Sequence, residues 1–135
     1  MTEDELRAMP DSQYMSPDQL AFFRDRLLRL REEVLVRERD IRVRLNENLT
    51  FADPGDRALA EEARWLDLRL RDREARLRNK IDASLKLIRD GDYGWCEVSG
   101  EPIGIERLLA RPTATTCADV KTDAELRERA FRAAR

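Results

Sequence analysis

Histidine is missing from this chain altogether, which removes the commonest general base and the commonest catalytic zinc ligand together. Cysteine occurs only twice, as Cys96 and Cys117, and nothing suggests secretion, so the pair is expected as thiols rather than as a structural disulfide. Aromatic residues make up 6% of the 135 residues, too little to fill a wide globular core. Glycine and proline number five each, which argues against a sheet-rich, turn-dense fold. No apolar run reaches the roughly 18 to 20 residues that span a bilayer, so a cytoplasmic protein with no membrane partner is expected. An excess of either charge is also lacking. The 26 basic and 28 acidic residues leave no global positive field to hold DNA by counterion release, and direct DNA binding is disfavoured.

What is abundant is charge, 40% of the chain, in the Arg, Leu, Glu, Asp and Ala mixture of long amphipathic helices. Residues 1–15 are polar and carry Pro10, and are expected to form a loosely held, flexible arm. Ser16-Pro17-Asp18-Gln19 then supplies a capping hydroxyl, a proline at the first helical position and Gln19 to complete a capping box. Leu20, Phe23, Leu27, Leu30, Val34, Ile41, Leu45 and Leu49 recur at helical spacing, which predicts a helix of roughly 50 Å. The chain should reverse near residues 50–58, where Asp53 is placed to cap a second helix, Pro54 opens it and Asp56 falls at its positive dipole end.

A second stripe runs through Leu59, Ala63, Leu66, Leu70, Leu77, Ile81, Leu85 and Ile88, with Gly91 as the left-handed stop. Arg73 falls where the Leu59 and Leu66 spacing asks for an apolar residue, making the expected seam locally polar; snorkelling would let its methylenes cover the seam. Two helices of matched length joined by a short turn predict an antiparallel coiled-coil hairpin over residues 16–90. Residues 91–121 change texture to turn formers and aromatics, with a short helix expected over Glu106–Ala110. Thr122-Asp123-Ala124-Glu125 reads as a capping box that opens a C-terminal helix within 122–135. The fold class expected is therefore mainly α, a long hairpin with a small module and a last helix.

The module contains Cys96-x-x-Ser99 and, 18 residues after Ser99, Cys117-x-x-Val120. That spacing suits a four-cysteine zinc site whose second and fourth ligands are replaced. Serine is a poor zinc ligand and valine is none, so two thiolates alone should not hold the metal. Packing by Tyr93, Trp95, Val98, Ile103, Ile105, Leu108, Leu109 and Val120 is expected to take its place.

Asp92-Tyr93-Gly94-Trp95-Cys96-Glu97, Gly104-Ile105-Glu106-Arg107-Leu108-x-Ala110-Arg111-Pro112-Thr113-Ala114 and Lys121-Thr122-x-Ala124-Glu125 resemble the DksA/TraR family. Asp53-Pro54-x-Asp56-Arg57-Ala58 is similar to that family's hairpin tip, and the likeness covers roughly residues 16–132. The cysteine pattern departs from the usual four and resembles the cysteine-depleted members of the family, which keep the fold without metal.

The resemblance implies a non-enzymatic transcription regulator whose hairpin enters the secondary channel of bacterial RNA polymerase and alters open-complex lifetime. It implies a tip of Asp53, Asp56 and Ala58 acting near the active centre, although both acids also fit a capping role. It further implies that the alarmone ppGpp binds at the polymerase interface against Arg73, Arg76, Leu77, Lys80 and Lys121. Arg73, Arg76 and Lys80 share one helix face, and Arg76 stands where lysine is usual in the family. A monomer is expected. The competing readings are a coiled-coil adaptor with no transcriptional role, and a metal or redox enzyme using the two cysteines, which no accompanying base or phosphate loop supports.

Overall fold

A computed structural model describes residues 1–47, 53–118 and 127–131 of the chain. Among them are helices α1 (Glu3–Ala8), α2 (Pro17–Asn46), α3 (Pro54–Asp90) and α4 (Ile105–Ala110), and residues 127–131 are also helical. The only extended pairing among the described residues is a single antiparallel bridge between Trp95 and Pro102. The mainly α class is the one found. Leu49, most of the connecting turn, Val120, Lys121 and the Thr122–Glu125 capping box lie outside the described residues.

Helix boundaries follow local chemistry. Asp53 caps α3 as its sequence position predicts: its Oδ1 accepts from the Gly55 N–H at 3.0 Å and its carbonyl from Arg57 at 3.1 Å. At the other end Gly91, with φ +80°, lets its own N–H reach the Ile88 carbonyl and the Asp92 N–H reach Leu87, a Schellman stop. The start of α2 differs from expectation. Ser16 N–H is taken by the Gln13 carbonyl of a 3-10 turn at Asp11–Gln13. Gln19 Oε1 therefore accepts from Met15 N–H at 2.9 Å, and the Ser16 hydroxyl has no hydrogen-bond partner. No Ser16–Gln19 capping box forms, because the preceding turn has already used the donor that box requires.

The chain forms two compact units, Leu28–Ala83 and Met1–Leu27 with Ser84–Arg135. In the first, the α2 and α3 segments run antiparallel. Ion pairs cross between them from Arg31 to Asp82, Glu38 to Arg78, Arg37 to Glu74 and Arg44 to Asp67; from the Arg31 pair to the Arg44 pair the number rises on α2 as it falls on α3. Val34 and Ile41 of α2 are buried, with Leu30, Leu35 and Leu45 half-buried.

The seam of α3 differs from the predicted stripe. Ile81 is buried, and its heptad phase continues through buried Glu74 and half-buried Asp67 and Ala60, whereas Leu59, Leu66 and Leu70 are exposed. The predicted stripe keeps heptad spacing from Leu59 to Leu77 and leaves it at Leu77, Ile81 and Leu85, which recur every four residues. Turning Asp67 and Glu74 inward sets them seven residues apart against Arg44 and Arg37, also seven apart. Arg73 is exposed on the outer face; the polar seam position is its neighbour Glu74.

The second unit holds the densest core. Leu6, Phe23, Leu27, Tyr93 and Leu108 are almost wholly buried, and each of the aliphatic or phenylalanine side chains contributes about 1.5 to 3 kcal/mol. The loosely held arm expected over residues 1–15 is instead a docked segment. Thr2 and Glu5 form a reciprocal capping box, Leu6 of α1 is buried and α1 packs on α4. Arg7 Nε bonds Glu106 at 2.7 Å, and Glu3 pairs with Arg26, whose guanidinium holds the Glu3 carboxyl below its usual pKa. Tyr14 donates its hydroxyl to the Gly94 carbonyl at 2.6 Å and accepts from Gly104 N–H at 3.0 Å. Burial and those partners hold the segment where composition alone suggests looseness.

Candidate functional site

Three places carry the residues singled out in the sequence: the start of α3, its outer face and the module after Gly91. At the start of α3, Asp53, Asp56 and Ala58 are all exposed. The capping bond gives Asp53 a structural duty. Asp56 has no hydrogen-bond or ion-pair partner among the described residues, so its carboxylate is free for another molecule. The local reason for an acid there is the positive end of the helix dipole.

Along the outer face, Arg73, Arg76 and Lys80 are exposed and Leu77 is half-buried, while Lys121 lies outside the described residues. The structure therefore brings three of the five predicted contacts to solvent on one helix. Arg73 and Arg76 also line a shallow concavity with Leu66, Arg69, Leu70 and Asp72. Beside it the Arg69 guanidinium sits 4.8 Å from the Trp65 ring centroid, a cation–π contact that keeps both side chains ordered at the surface. Trp65, Leu66, Arg69 and Leu70 were not among the predicted contacts, since Leu66 and Leu70 had been assigned to the seam. The signal available was the seven-residue spacing of Asp67 and Glu74 opposite Arg44 and Arg37.

In the module, the turn Cys96–Ser99 and the loop carrying Cys117 meet. Cys96 Sγ accepts from Cys117 N–H at 3.4 Å, Ser99 N–H at 3.5 Å and the Cys117 thiol at 3.7 Å. Ser99 Oγ lies 3.8 Å from Cys117 Sγ. These bonds, the Ser99 hydroxyl first and the two backbone donors next, pull the Cys96 thiol down to a pKa of about 6. The 3.7 Å sulfur separation is close to the edge of about 3.8 Å expected between two thiolates on a tetrahedral zinc. The shape of a zinc site persists, but its chemistry does not. Two sulfurs and a hydroxyl are too few and too weak a set, Val120 offers no donor atom, and no group of three His, Cys, Asp or Glu residues among the described residues comes together. Structural zinc does not fit these residues.

Hydrogen bonds and packing close the module instead. Cys96 N–H bonds Glu101 O, Glu97 N–H bonds Thr115 O and Ile103 N–H bonds Gly94 O. The Tyr93 hydroxyl donates to Pro112 O at 2.7 Å, and Arg107 Nε to Thr116 O at 2.8 Å. Of the predicted core, Tyr93, Ile103 and Leu108 are buried and Ile105 and Leu109 half-buried. Trp95 and Val98 are exposed; Trp95 packs its ring edge-on against Tyr14, at 5.3 Å between centroids.

Comparison with known proteins fits both parts of this architecture. Residues 19–88 match the family described as DnaK suppressor protein DksA, N-terminal domain, and residues 91–126 match the prokaryotic dksA/traR C4-type zinc finger. The chain is 48% identical over 125 residues to the RNA polymerase-binding transcription factor DksA of Escherichia coli K12, covering 89% of this chain and 80% of that protein. It is 43% identical over 131 residues to the protein of the same name from Caulobacter vibrioides NA1000, covering 96% and 92%. Among solved structures, transcription factor DksA2 from Pseudomonas aeruginosa superposes with a TM-score of 0.86 at 48% identity, over 95% of this chain and 99% of that one.

Proposed function

Because this chain belongs to the DksA/TraR family, we propose that it is a non-enzymatic transcription regulator that binds bacterial RNA polymerase and inserts its hairpin into the secondary channel. The observation that carries this reading is the start of α3, where Asp56, without a partner among the described residues, and the small Ala58 stand exposed together. A chain reversal needs a cap, and Asp53 supplies it; Asp56 suits the positive end of the helix dipole, and the small residue near it leaves its exposed carboxylate open to another molecule. In a crowded channel, bulk at Ala58 would be excluded and the carboxylates would meet donors near the active centre.

On this reading the outer face of α3 is the effector side. Arg73, Arg76 and Lys80, with Leu77 and Lys121, hold ppGpp against the polymerase, the guanidinium forks taking phosphate oxygens in pairs. The protein reads no DNA sequence, as its balanced charge suits. It acts as a cytoplasmic monomer, and it needs no zinc, because the bonds to Cys96 and the Tyr93 core close the module.

The test is initiation in vitro at a ribosomal-type promoter, with and without ppGpp. Wild-type chain changes the transcript yield, Asp56→Asn loses the effect while still binding polymerase, and Arg73→Ala with Arg76→Ala loses only the ppGpp response. A wild-type chain that neither binds polymerase nor alters transcription overturns the reading. Elemental analysis that finds about one zinc per chain refutes the metal-free module.

A further inference from the structure

The cross-helix charges of the Leu28–Ala83 unit are matched at four crossings: Arg31 with Asp82, Glu38 with Arg78, Arg37 with Glu74 and Arg44 with Asp67. One groove of the same unit breaks that rule. Arg42 of α2 and Arg64 and Arg71 of α3 line a concavity of about 260 Å³ together with Asn46, over a floor of half-buried Leu45 and Leu68. The single carboxylate on its wall, Glu38, is already paired with Arg78 at 3.0 Å.

Among the described residues, none of the three arginines has a cross-helix acid. Arg42 has no ion pair among the described residues. Arg64 is held by the Leu45 carbonyl at 2.9 Å, which orients its guanidinium while leaving its charge uncompensated. Arg71 reaches only its neighbour Asp72, at 3.7 Å and with both side chains more than half exposed, a contact too solvated to neutralise it. Like charges gathered across a helix pair are destabilising unless something answers them.

We propose that this groove is a polyphosphate-binding site, one that takes the linked phosphates of a nucleoside triphosphate or of pyrophosphate. Guanidinium forks suit phosphate oxygens two at a time, the Asn46 amide adds a neutral donor, and three permanent positive charges match a di- or triphosphate better than a lone carboxylate. The size agrees. A volume of about 260 Å³ falls below the roughly 300 to 1,000 Å³ that encloses a whole drug-sized ligand, so the groove holds the phosphates and leaves a base outside. The site lies on different residues from Arg73, Arg76, Leu77 and Lys80, and it stands independently of the polymerase reading.

The experiment is titration of the full-length chain alone, followed by calorimetry and by the arginine Nε resonances in NMR, with inorganic pyrophosphate, ATP, GTP and inorganic monophosphate as probes. Pyrophosphate and both triphosphates bind saturably, and monophosphate binds about tenfold more weakly because fewer charged bonds form. Arg42→Ala with Arg71→Ala, both at exposed positions, weakens pyrophosphate about tenfold or more with unchanged far-UV circular dichroism. Arg39→Ala with Arg89→Ala, exposed arginines outside both this groove and the outer face of α3, leaves it within about twofold. Equal affinities for pyrophosphate and the triphosphates identify the phosphates as the whole ligand; tighter triphosphate binding assigns a share to the nucleoside. Absence of saturable binding overturns the proposal. So does binding that survives loss of Arg42 and Arg71, or binding seen only with an acidic peptide.

Discussion

Truncating the exposed Leu66 and Leu70 of α3 in turn, and its buried Ile81 separately, distinguishes the two possible seams. Ile81 is 0% exposed, so Ile81→Ala removes packed methyl groups and leaves a cavity, at a cost of about 2 to 5 kcal/mol. Leu66 and Leu70 are 50% and 39% exposed. Full burial of a leucine contributes about 1.5 to 3 kcal/mol, so each half-exposed side chain loses about 1 kcal/mol on truncation, and water fills the space. With an unfolding entropy of about 2.1 cal/mol/K per residue, the 135-residue chain loses about 1 °C of Tm for each 0.3 kcal/mol. Ile81→Ala should therefore lower Tm by about 7 to 18 °C, and Leu66→Ala or Leu70→Ala by about 3 °C each. Thermal melts followed at 222 nm, supported by urea midpoints, measure the difference. If either leucine variant costs as much as Ile81→Ala, the leucines belong to the seam, and the outer face described for α3 is wrong.

Arg37→Ala should destabilise by about 1 to 3 kcal/mol, because it leaves the buried Glu74 carboxylate without its partner, whereas Glu74→Leu should be neutral or stabilising in the same urea titration. Tyr14→Phe gives up the bonds to Gly94 and Gly104 and should cost about 1 to 3 kcal/mol, with loss of near-UV circular dichroism from the Tyr14–Trp95 contact; an unchanged melt would mean that the arm is not docked. Gly94→Ala places a Cβ 2.7 Å from Met15 at a backbone φ of +92°, and should cost about 1 to 2 kcal/mol from the left-handed backbone alone. The Cys96 thiol, ordinary value 9.0, should titrate near pH 6 in the folded chain, read as thiolate absorbance at 240 nm that Cys96→Ser removes. Its folded pKa is depressed, so its stabilising contribution is complete above about pH 9 and is lost as pH falls through about 6. A Cys96 thiol that titrates near its ordinary value of 9.0 would contradict the hydrogen-bond arrangement around it.

Much of the architecture was legible because it rests on local chemistry. Asp53-Pro54 and Gly91 mark the ends of α3 through a capping carboxylate, a fixed φ and a left-handed residue, and none of these needs a distant partner to act. The short helix at Ile105–Ala110 is of the same kind. The loss of two cysteines likewise speaks from the motif alone, since a tetrahedral structural zinc needs four donors and this spacing supplies two thiols.

Other features depend on which surfaces meet. Apolar periodicity in α3 allowed more than one seam phase, and pairing with α2 selected the one that sets Asp67 and Glu74 against Arg44 and Arg37 while turning Leu66 and Leu70 outward. The docking of residues 1–15 was missed although Thr2-x-x-Glu5 is a legible capping box, because six helical residues hold only when Leu6 finds a core and Tyr14 finds Gly94 and Gly104. Sequence alone thus determined the long helices, the ends of α3 and the loss of two cysteine ligands, since these are set by each residue's own conformational and ligand chemistry. Tertiary structure alone decided which face of α3 is buried and which arginines go unanswered, because burial and charge pairing are properties of two surfaces in contact.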